Sequence, residues 1–442
     1  MRFGNADLKN MIVPLFWEQL LVLLVGIADT MVVSYTGEAA VSGVSLVNMV
    51  NTIFIYLFTA LASGGAVVIS QYIGRQERER AGKAASQLLL FSVLLSVVLA
   101  GAVLAANEEI LKLLFGAVEP AVMEAGVLYL RISAYSYPFL AIYNAGVSLC
   151  RSLGKTDITM KISLASNVVN LVGNLIGVFV LQAGVAGVAY PSLLARLYSA
   201  VAVSWVCFRG SSGVRYRKQW ILLWDRTLLS QILRIALPNG IEKGLFQLVK
   251  VALSSIVALF GTYQIAANGV AQSIWSMAAL CGLTMSPVFI TVIGQCMGAG
   301  DTAEAEYYFK KLTKLALVMS LIWNGLVFAA TPLLMHVYAL EGETKRLVIQ
   351  LVLIHNLFNA VAFPFSGAMS SGLRAAGDVR FTTVVSIVST VVGRLTLSYL
   401  LGSVFELGVI GIAIAMCCDW SVQAAFYIGR FYSGKWKKYH VV

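Results

Sequence analysis

Long uninterrupted apolar runs constrain this chain more than any other feature. They can be read at residues 12–35, 45–72, 84–106, 127–150, 158–181, 186–208, 235–260, 265–296, 310–332, 347–372, 381–401 and 408–430, joined by short polar connections. A bilayer core about 30 Å thick needs about 20 mostly apolar residues per crossing helix, so each run is long enough to span. Inside lipid the backbone must satisfy its own polar groups, which leaves helices or a closed barrel. The runs lack the apolar/polar alternation of barrel strands. The predicted fold class is therefore an all-α polytopic membrane protein of about twelve spans. Composition agrees. With 59% hydrophobic and 12% charged residues, against about 25% charged in a soluble domain, the chain could not cover a water-facing surface. The first run holds Pro14, Glu18 and Asp29 and exceeds the apolar core of a cleavable leader, so it reads as the first span.

The net charge of +11 raises nucleic acid as a partner, and its distribution argues against one. Numbering the loops alternately puts Arg75, Arg78, Arg80, Arg151, Lys155, Arg215, Arg217, Lys218, Arg374, Lys435 and Lys437 on one side with most other cations. The opposite side holds only Lys112, Lys345 and Arg346, near Glu38, Glu108, Glu109, Glu119 and Glu406. This is a positive-inside bias. It predicts a multi-pass protein of the plasma (inner) membrane with both termini cytoplasmic and lipid as its surroundings.

An internal repeat is also legible. Pro14-Leu15-Phe16-Trp17-Glu18 aligns with Pro238-Asn239-Gly240-Ile241-Glu242 at an offset of 224. The same offset carries Gly37 onto Gly261 and Gln71-Tyr72-Ile73-Gly74 onto Gln295-Cys296-Met297-Gly298. It also carries Gly184-Val185-Ala186-Gly187-Val188-Ala189 onto Gly408-Val409-Ile410-Gly411-Ile412-Ala413. One offset at four places, near half the chain, marks a tandem duplication. Six spans per half return the chain to its starting side, giving two repeats of the same topology. Such parallel repeats recur in secondary transporters. The expected organisation is a six-helix lobe at 1–208, a basic cytoplasmic tether at 209–234 that permits relative motion, and a second lobe at 235–442.

Ionisable residues inside spans cost about 2.5–3.5 kcal/mol on insertion scales and are functional candidates. Asp29 lies in the outer half of span 1. Asn170 and Asn174, one turn apart in span 5, share a face, and Tyr129 and Ser192 enter from outside at similar depth in spans 4 and 6. Oxygen-rich side chains around one carboxylate suit a proton or an alkali cation. Interhelical hydrogen bonding is the plain alternative for the amides and hydroxyls. Glu18, three turns before Asp29, and its repeat partner Glu242 each follow a proline by one turn. Lys243 and Lys250 in span 7, Arg394 in span 11 and Asp419 in span 12 are expected to pair with one another inside the second half. Trp17, Trp275, Trp323 and Trp420 read as packing aromatics.

No GxxxxGK[ST], GxSxG or HExxH stretch occurs, so neither ATP binding nor hydrolytic chemistry is signalled. Six cysteines form no CxxC pair and three histidines are dispersed; no metal site and no cofactor is expected. An ion-coupled carrier remains.

The opening Pro14 to Thr30, with Glu18-Gln19-Leu20-Leu21 and Ala28-Asp29-Thr30, resembles that of multidrug and toxic compound extrusion (MATE) transporters. Gln71-Tyr72-Ile73-Gly74-Arg75, Arg151-Ser152-Leu153-Gly154-Lys155-Thr156-Asp157 and the Asn170/Asn174 pair before the Gly184 motif resemble the same family. The resemblance implies two six-helix lobes in a V around a central cavity. It also implies export of cationic or amphipathic small molecules, organic cations among them, by proton or sodium antiport, and a monomer is expected. The family's first-lobe cation site falls on Asp29, Tyr129, Asn170, Asn174 and Ser192. Two positions depart from the pattern: some members carry aspartate at Asn174, and the acid many place eight residues after the span 7 proline is Phe246 here. A flippase for lipid-linked oligosaccharides, of the same superfamily, is the alternative that Lys243, Lys250 and Arg394 support. A channel or scaffold ranks behind both.

Overall fold

The computed structural model describes residues 2–116, 118–210, 213–337 and 342–442. Every expected span lies in helix, and no β-strand occurs among the described residues. The first half comprises α1 (Asn5–Ser34), α2 (Glu38–Gly74), α3 (Arg78–Ala105), α4 (Asn107–Phe115), α5 (Pro120–Ser152), α6 (Thr156–Leu175) and α7 (Ala186–Arg209). After the short α8 (Lys218–Ile221) come α9 (Arg226–Val257), α10 (Thr262–Ala278), α11 (Leu280–Gly298) and α12 (Thr302–Val337). The chain ends with α13 (Gly342–Val361), α14 (Ser370–Ala375), α15 (Val379–Ile387), α16 (Leu395–Tyr399) and α17 (Val409–Tyr432). Among the described residues ten helices are long and apolar enough to cross a membrane, or eleven if Gly342–Val361 and Pro364–Ala375, bent by 46°, form one span. The expected span at 127–150 is the 33-residue α5. Its serines Ser133, Ser136 and Ser148 are buried in the unit core.

The chain divides into two compact units, Asn5–Leu237 and Pro238–Val442, the latter joined by the residues up to Gly4. In the first, α5 packs on α2, α3 and α7, while α6 packs on α7 and α1; in the second, α10 packs on α13, α11 on α12 and α14, and α17 on α13.

The repeat is written into the backbone. Gly37 (φ 106) and Gly261 (φ 95) open α2 and α10, and Gly184 (φ 57) and Gly408 (φ 58) precede α7 and α17. Gln182 (φ 49) and Glu406 (φ 56), also 224 apart, share the left-handed conformation that non-glycine residues rarely adopt. π-Helical turns fall at Ile176–Val180 and Leu400–Val404, again 224 apart. Here the repeated glycine motif has its reason. A Cβ on Gly187 would lie 2.5 Å from the Gly177 carbonyl oxygen, and one on Gly411 would lie 2.5 Å from the Leu401 carbonyl carbon. In both halves helix and π-turn touch backbone to backbone, which only a residue without a side chain allows.

The segment at 209–234 is not a free tether. Gln87 Nε2 donates to the Trp220 carbonyl (2.6 Å), and Gln87 Oε1 accepts from the Asp225 amide (2.9 Å). Lys83 pairs with Asp225 at 2.7 Å, and Tyr216 and Trp220 are buried. Asp225 Oδ1 accepts from the amides of Thr227 (3.0 Å) and Leu228 (3.1 Å), so α9 starts within the expected tether, capped by a carboxylate. Arg217 of this segment lies over the ring of Trp220, 4.4 Å from its centroid, so a basic residue packs on an aromatic that docks on the first unit.

Candidate functional site

α1 carries Asp29 into the first unit, and two helices converge on its carboxylate. Asn170 Nδ2 of α6 donates to Oδ2 at 2.7 Å, and Asn174 Nδ2, one turn on, donates to Oδ1 at 2.9 Å. Ser192 of α7 donates to Asn170 Oδ1 at 3.0 Å. Tyr129 of α5 is buried and within hydrogen-bonding reach of Ser192. The five residues predicted from depth in the spans are thus neighbours. Two amide donors occupy one oxygen each of the carboxylate, the kind of hydrogen bonding that favours the charged form of an acid within an apolar span. Among the described residues no lysine or arginine forms an ion pair with Asp29. Asn174 is fully buried and its Oδ1 has no partner. Carboxylate, amide and hydroxyl oxygens make a hard donor set suited to a proton or an alkali cation. No group of three or more His, Cys, Asp or Glu able to hold a metal occurs among the described residues.

The polar network extends further than these five. Arg196 of α7 is an electrostatic neighbour of Tyr129 and donates to Ser136 Oγ at 2.6 Å. Beyond it, Tyr137 donates to Asn51 Oδ1 at 2.8 Å and Asn51 Nδ2 donates to Ser133 at 3.3 Å. The signal that singles out Asp29, a charge within an apolar run, applies equally to Arg196, which lies in the middle of the run at 186–208.

Glu18 and Glu242 do not join Asp29; each is taken by an arginine. Arg151 Nη2 donates to Glu18 Oε1 at 3.0 Å, and Thr159 to Oε2 at 3.2 Å. In the second unit Arg374 Nη2 donates to Glu242 Oε2 at 2.6 Å, Arg374 Nη1 to Asn239 Oδ1 at 3.0 Å, and Ser386 to Glu242 Oε1 at 2.9 Å. Arg151-Ser152-Leu153-Gly154 has a second copy in Arg374-Ala375-Ala376-Gly377, displaced by 223 rather than 224. That one-residue slip hides it from a fixed-offset comparison.

The expected pairing of Lys243, Lys250, Arg394 and Asp419 is corrected by the structure. Asp419 accepts from Ser389, from Thr390 (3.2 Å to Oδ2) and from Gln423 (2.8 Å to Oδ1). Among the described residues none of the three cations forms an ion pair. Arg394 and Lys250 instead lie over the ring of Phe246, each 5.7 Å from its centroid. Hydroxyls and an amide satisfy Asp419 locally, leaving the cations to the aromatic face. Of the tryptophans, Trp275 and Trp420 stack at 5.8 Å, Trp323 donates to the Met277 carbonyl at 2.8 Å, and Trp17 is exposed.

A duplicated, many-helix membrane protein with one carboxylate solvated by amides inside its first repeat belongs to the class of membrane transporters rather than enzymes. The family model described as MatE matches it twice, over residues 14–176 and 238–400. The chain belongs to that family of multidrug efflux transporters. Both the starts and the ends of the two matches are 224 residues apart, the offset read from the sequence. The chain is 24% identical over 434 residues to the uncharacterized transporter YisQ of Bacillus subtilis, covering 96% of this chain and 93% of that one. It is 22% identical over 445 residues to the probable multidrug resistance protein NorM of Thermotoga maritima, covering 98% and 93%. Its fold matches that of a multidrug resistance MATE family transporter of the MOP superfamily in an outward-facing conformation. The TM-score is 0.91 at 21% identity, over 98% of this chain and 96% of that one.

Proposed function

We propose that this protein is a secondary active exporter that exchanges cationic or amphipathic small molecules for protons or sodium ions entering the cell. Its place is the plasma membrane, with both termini cytoplasmic, as a monomer. The observation that supports this reading is Asp29, a carboxylate within an apolar span that is held by Asn170 and Asn174 and, among the described residues, by no cation. Such a group changes its attraction for a cation when it gains or loses a proton. Ionised, it attracts a proton, a sodium ion or a cationic solute; once a proton neutralises it, its hold on any other cation is lost. Tyr129 and Ser192 supply further oxygens, and Asn174 Oδ1 has a free lone pair for an arriving cation. Alternating exposure of this site to the two sides of the membrane, by movement of one repeat against the other, couples ion entry to solute exit. The test is solute uptake into inside-out vesicles under an imposed proton gradient or an imposed sodium gradient. Uptake driven by one gradient and abolished when it is collapsed is expected; uptake that persists without either gradient defeats the antiport reading.

A further inference from the structure

In the second unit the residues at the repeat positions of the Asp29 site have the opposite charge character. At the offset of 224, Asp29 corresponds to Leu253, Asn170 to Arg394 and Asn174 to Ser398. Where the first repeat holds a part-buried acid with two amides, the second places a guanidinium and a hydroxyl one turn apart. Arg394 is only 5% exposed, it lacks an ion-pair partner among the described residues, and its Nε has no hydrogen-bond partner. Ser398 is fully buried and its Oγ is likewise unpartnered. His355 of α13, an electrostatic neighbour of Arg394, is 1% exposed with neither ring nitrogen bonded. Lys250 of α9 stands at the exposed end of the group, and it and Arg394 both lie over the Phe246 ring. The one acid that acts electrostatically on Arg394 among the described residues is Asp419, and Ser389, Thr390 and Gln423 occupy its oxygens.

Leaving a buried guanidinium unpaired is costly, because its lost hydration is not replaced. Several buried donors left unsatisfied in one place call for an explanation in terms of a missing partner. Arg394 Nε and Ser398 Oγ can donate, and His355 can donate from either ring nitrogen. Two cations against one acid leave a net positive charge. The complementary partner is an anion with several acceptor oxygens, and Phe246 offers an apolar face for the body that carries it.

We propose that Arg394, Ser398, His355 and Lys250 form a binding site for the anionic group, carboxylate or phosphate, of an aromatic amphipathic solute. This rests on the exporter reading and narrows its substrate class to aromatic acids and zwitterions, the latter keeping the cationic character expected of the solute.

The experiment is fluorescence titration of the purified full chain in phosphatidylcholine nanodiscs with dansylglycine, and with dansylglycinamide as its uncharged counterpart. Dansylglycine should bind saturably and the amide about tenfold more weakly, as a lost charge-assisted hydrogen bond requires. Arg394→Gln and Lys250→Gln should each weaken dansylglycine binding, Arg394→Gln by about tenfold, with Arg394→Lys intermediate. Lys112→Gln, a lysine lost from the exposed outer helix α4, should change nothing. Lys250 is exposed, so its variant tests the site even where Arg394→Gln does not fold. Equal binding of the acid and the amide, or dansylglycine binding unchanged in Lys250→Gln, overturns the proposal. Nanodiscs containing phosphatidylglycerol separate the two sources of such an anion: undiminished dansylglycine binding supports a solute site, and displacement assigns it to a lipid headgroup and overturns the solute reading. Binding is read without any ion gradient, so failure of the antiport reading in the vesicle assay leaves this result standing.

Discussion

Arg374 donates to Glu242 at 2.6 Å, and this contact repeats, across two copies of one ancestral unit, the bond from Arg151 to Glu18 at 3.0 Å. Each joins the helix that opens its half to the Arg-x-x-Gly turn. Breaking a buried pair by removing one partner strands the other charge and costs about 3–5 kcal/mol. Glu242→Gln should therefore lower thermal stability clearly, and the double variant Glu242→Gln/Arg374→Gln should recover part of the loss. The Glu18/Arg151 pair should behave alike. Thermal unfolding of the four single variants and two doubles decides this; additive losses in the doubles would mean that the pairs are not coupled.

Asp29→Asn removes the charge at nearly constant volume. Gradient-driven efflux should fall by about tenfold or more, a change of about 1.4 kcal/mol or more, while expression and thermal stability stay near those of the parent. Asn174→Asp should be milder and should shift the pH dependence of transport, since it sets a second carboxylate against the first. Normal transport by Asp29→Asn at every pH would make Asp29 a packing residue.

The glycine contacts separate by position. Gly187→Ala should destabilise the protein by about 1–3 kcal/mol through overpacking, and Gly411→Ala likewise. Gly26, whose added Cβ would meet nothing within 4 Å, should tolerate alanine without loss.

Docking of the segment before α9 depends on Asp225. Its hydrogen bond from Lys83 leads the effects that hold its carboxyl below the usual range. A depressed carboxyl stabilises the docked form at pH values above its unfolded pKa of about 3.9, and loses that contribution as pH falls through the folded value. Hydrogen exchange of residues 213–225 should be slow at neutral pH and accelerate as acid protonates Asp225. Asp225→Asn should show the fast exchange already at neutral pH; protection equal to the parent's would remove Asp225 from this role.

Orientation is testable by labelling. A cysteine at Glu108, on the exposed face of α4, should react with an impermeant reagent from outside, and cysteines at Arg80 and Arg217 only from the cytoplasm. Glu341, a further position expected on the outer side, lies outside the described residues. Labelling of Arg217→Cys from outside would reverse the topology.

The sequence by itself determined the class of fold, the position of nearly every helix and the period of the repeat. Apolar length and the exclusion of charge are demands the bilayer places on the chain locally, so they can be read one segment at a time. It also determined which residues meet at Asp29, because depth along a span is a local quantity and helices of one repeat that cross at equal depth can touch. Direction around each helix, and hence partnership, was decided only by tertiary packing. Whether Glu18 and Glu242 stay free or pair depends on arginines 133 and 132 residues away. The docking of Trp220 on α3 and of Tyr216 against Phe208 of α7 likewise turned an apparent tether into part of the first unit. The separation of Arg394 from Asp419 depends on Ser389, Thr390 and Gln423 having satisfied the acid first. Hydrogen bonds of this kind are fixed by distances of about 3 Å, and no pattern of spacing in a sequence resolves distances that fine.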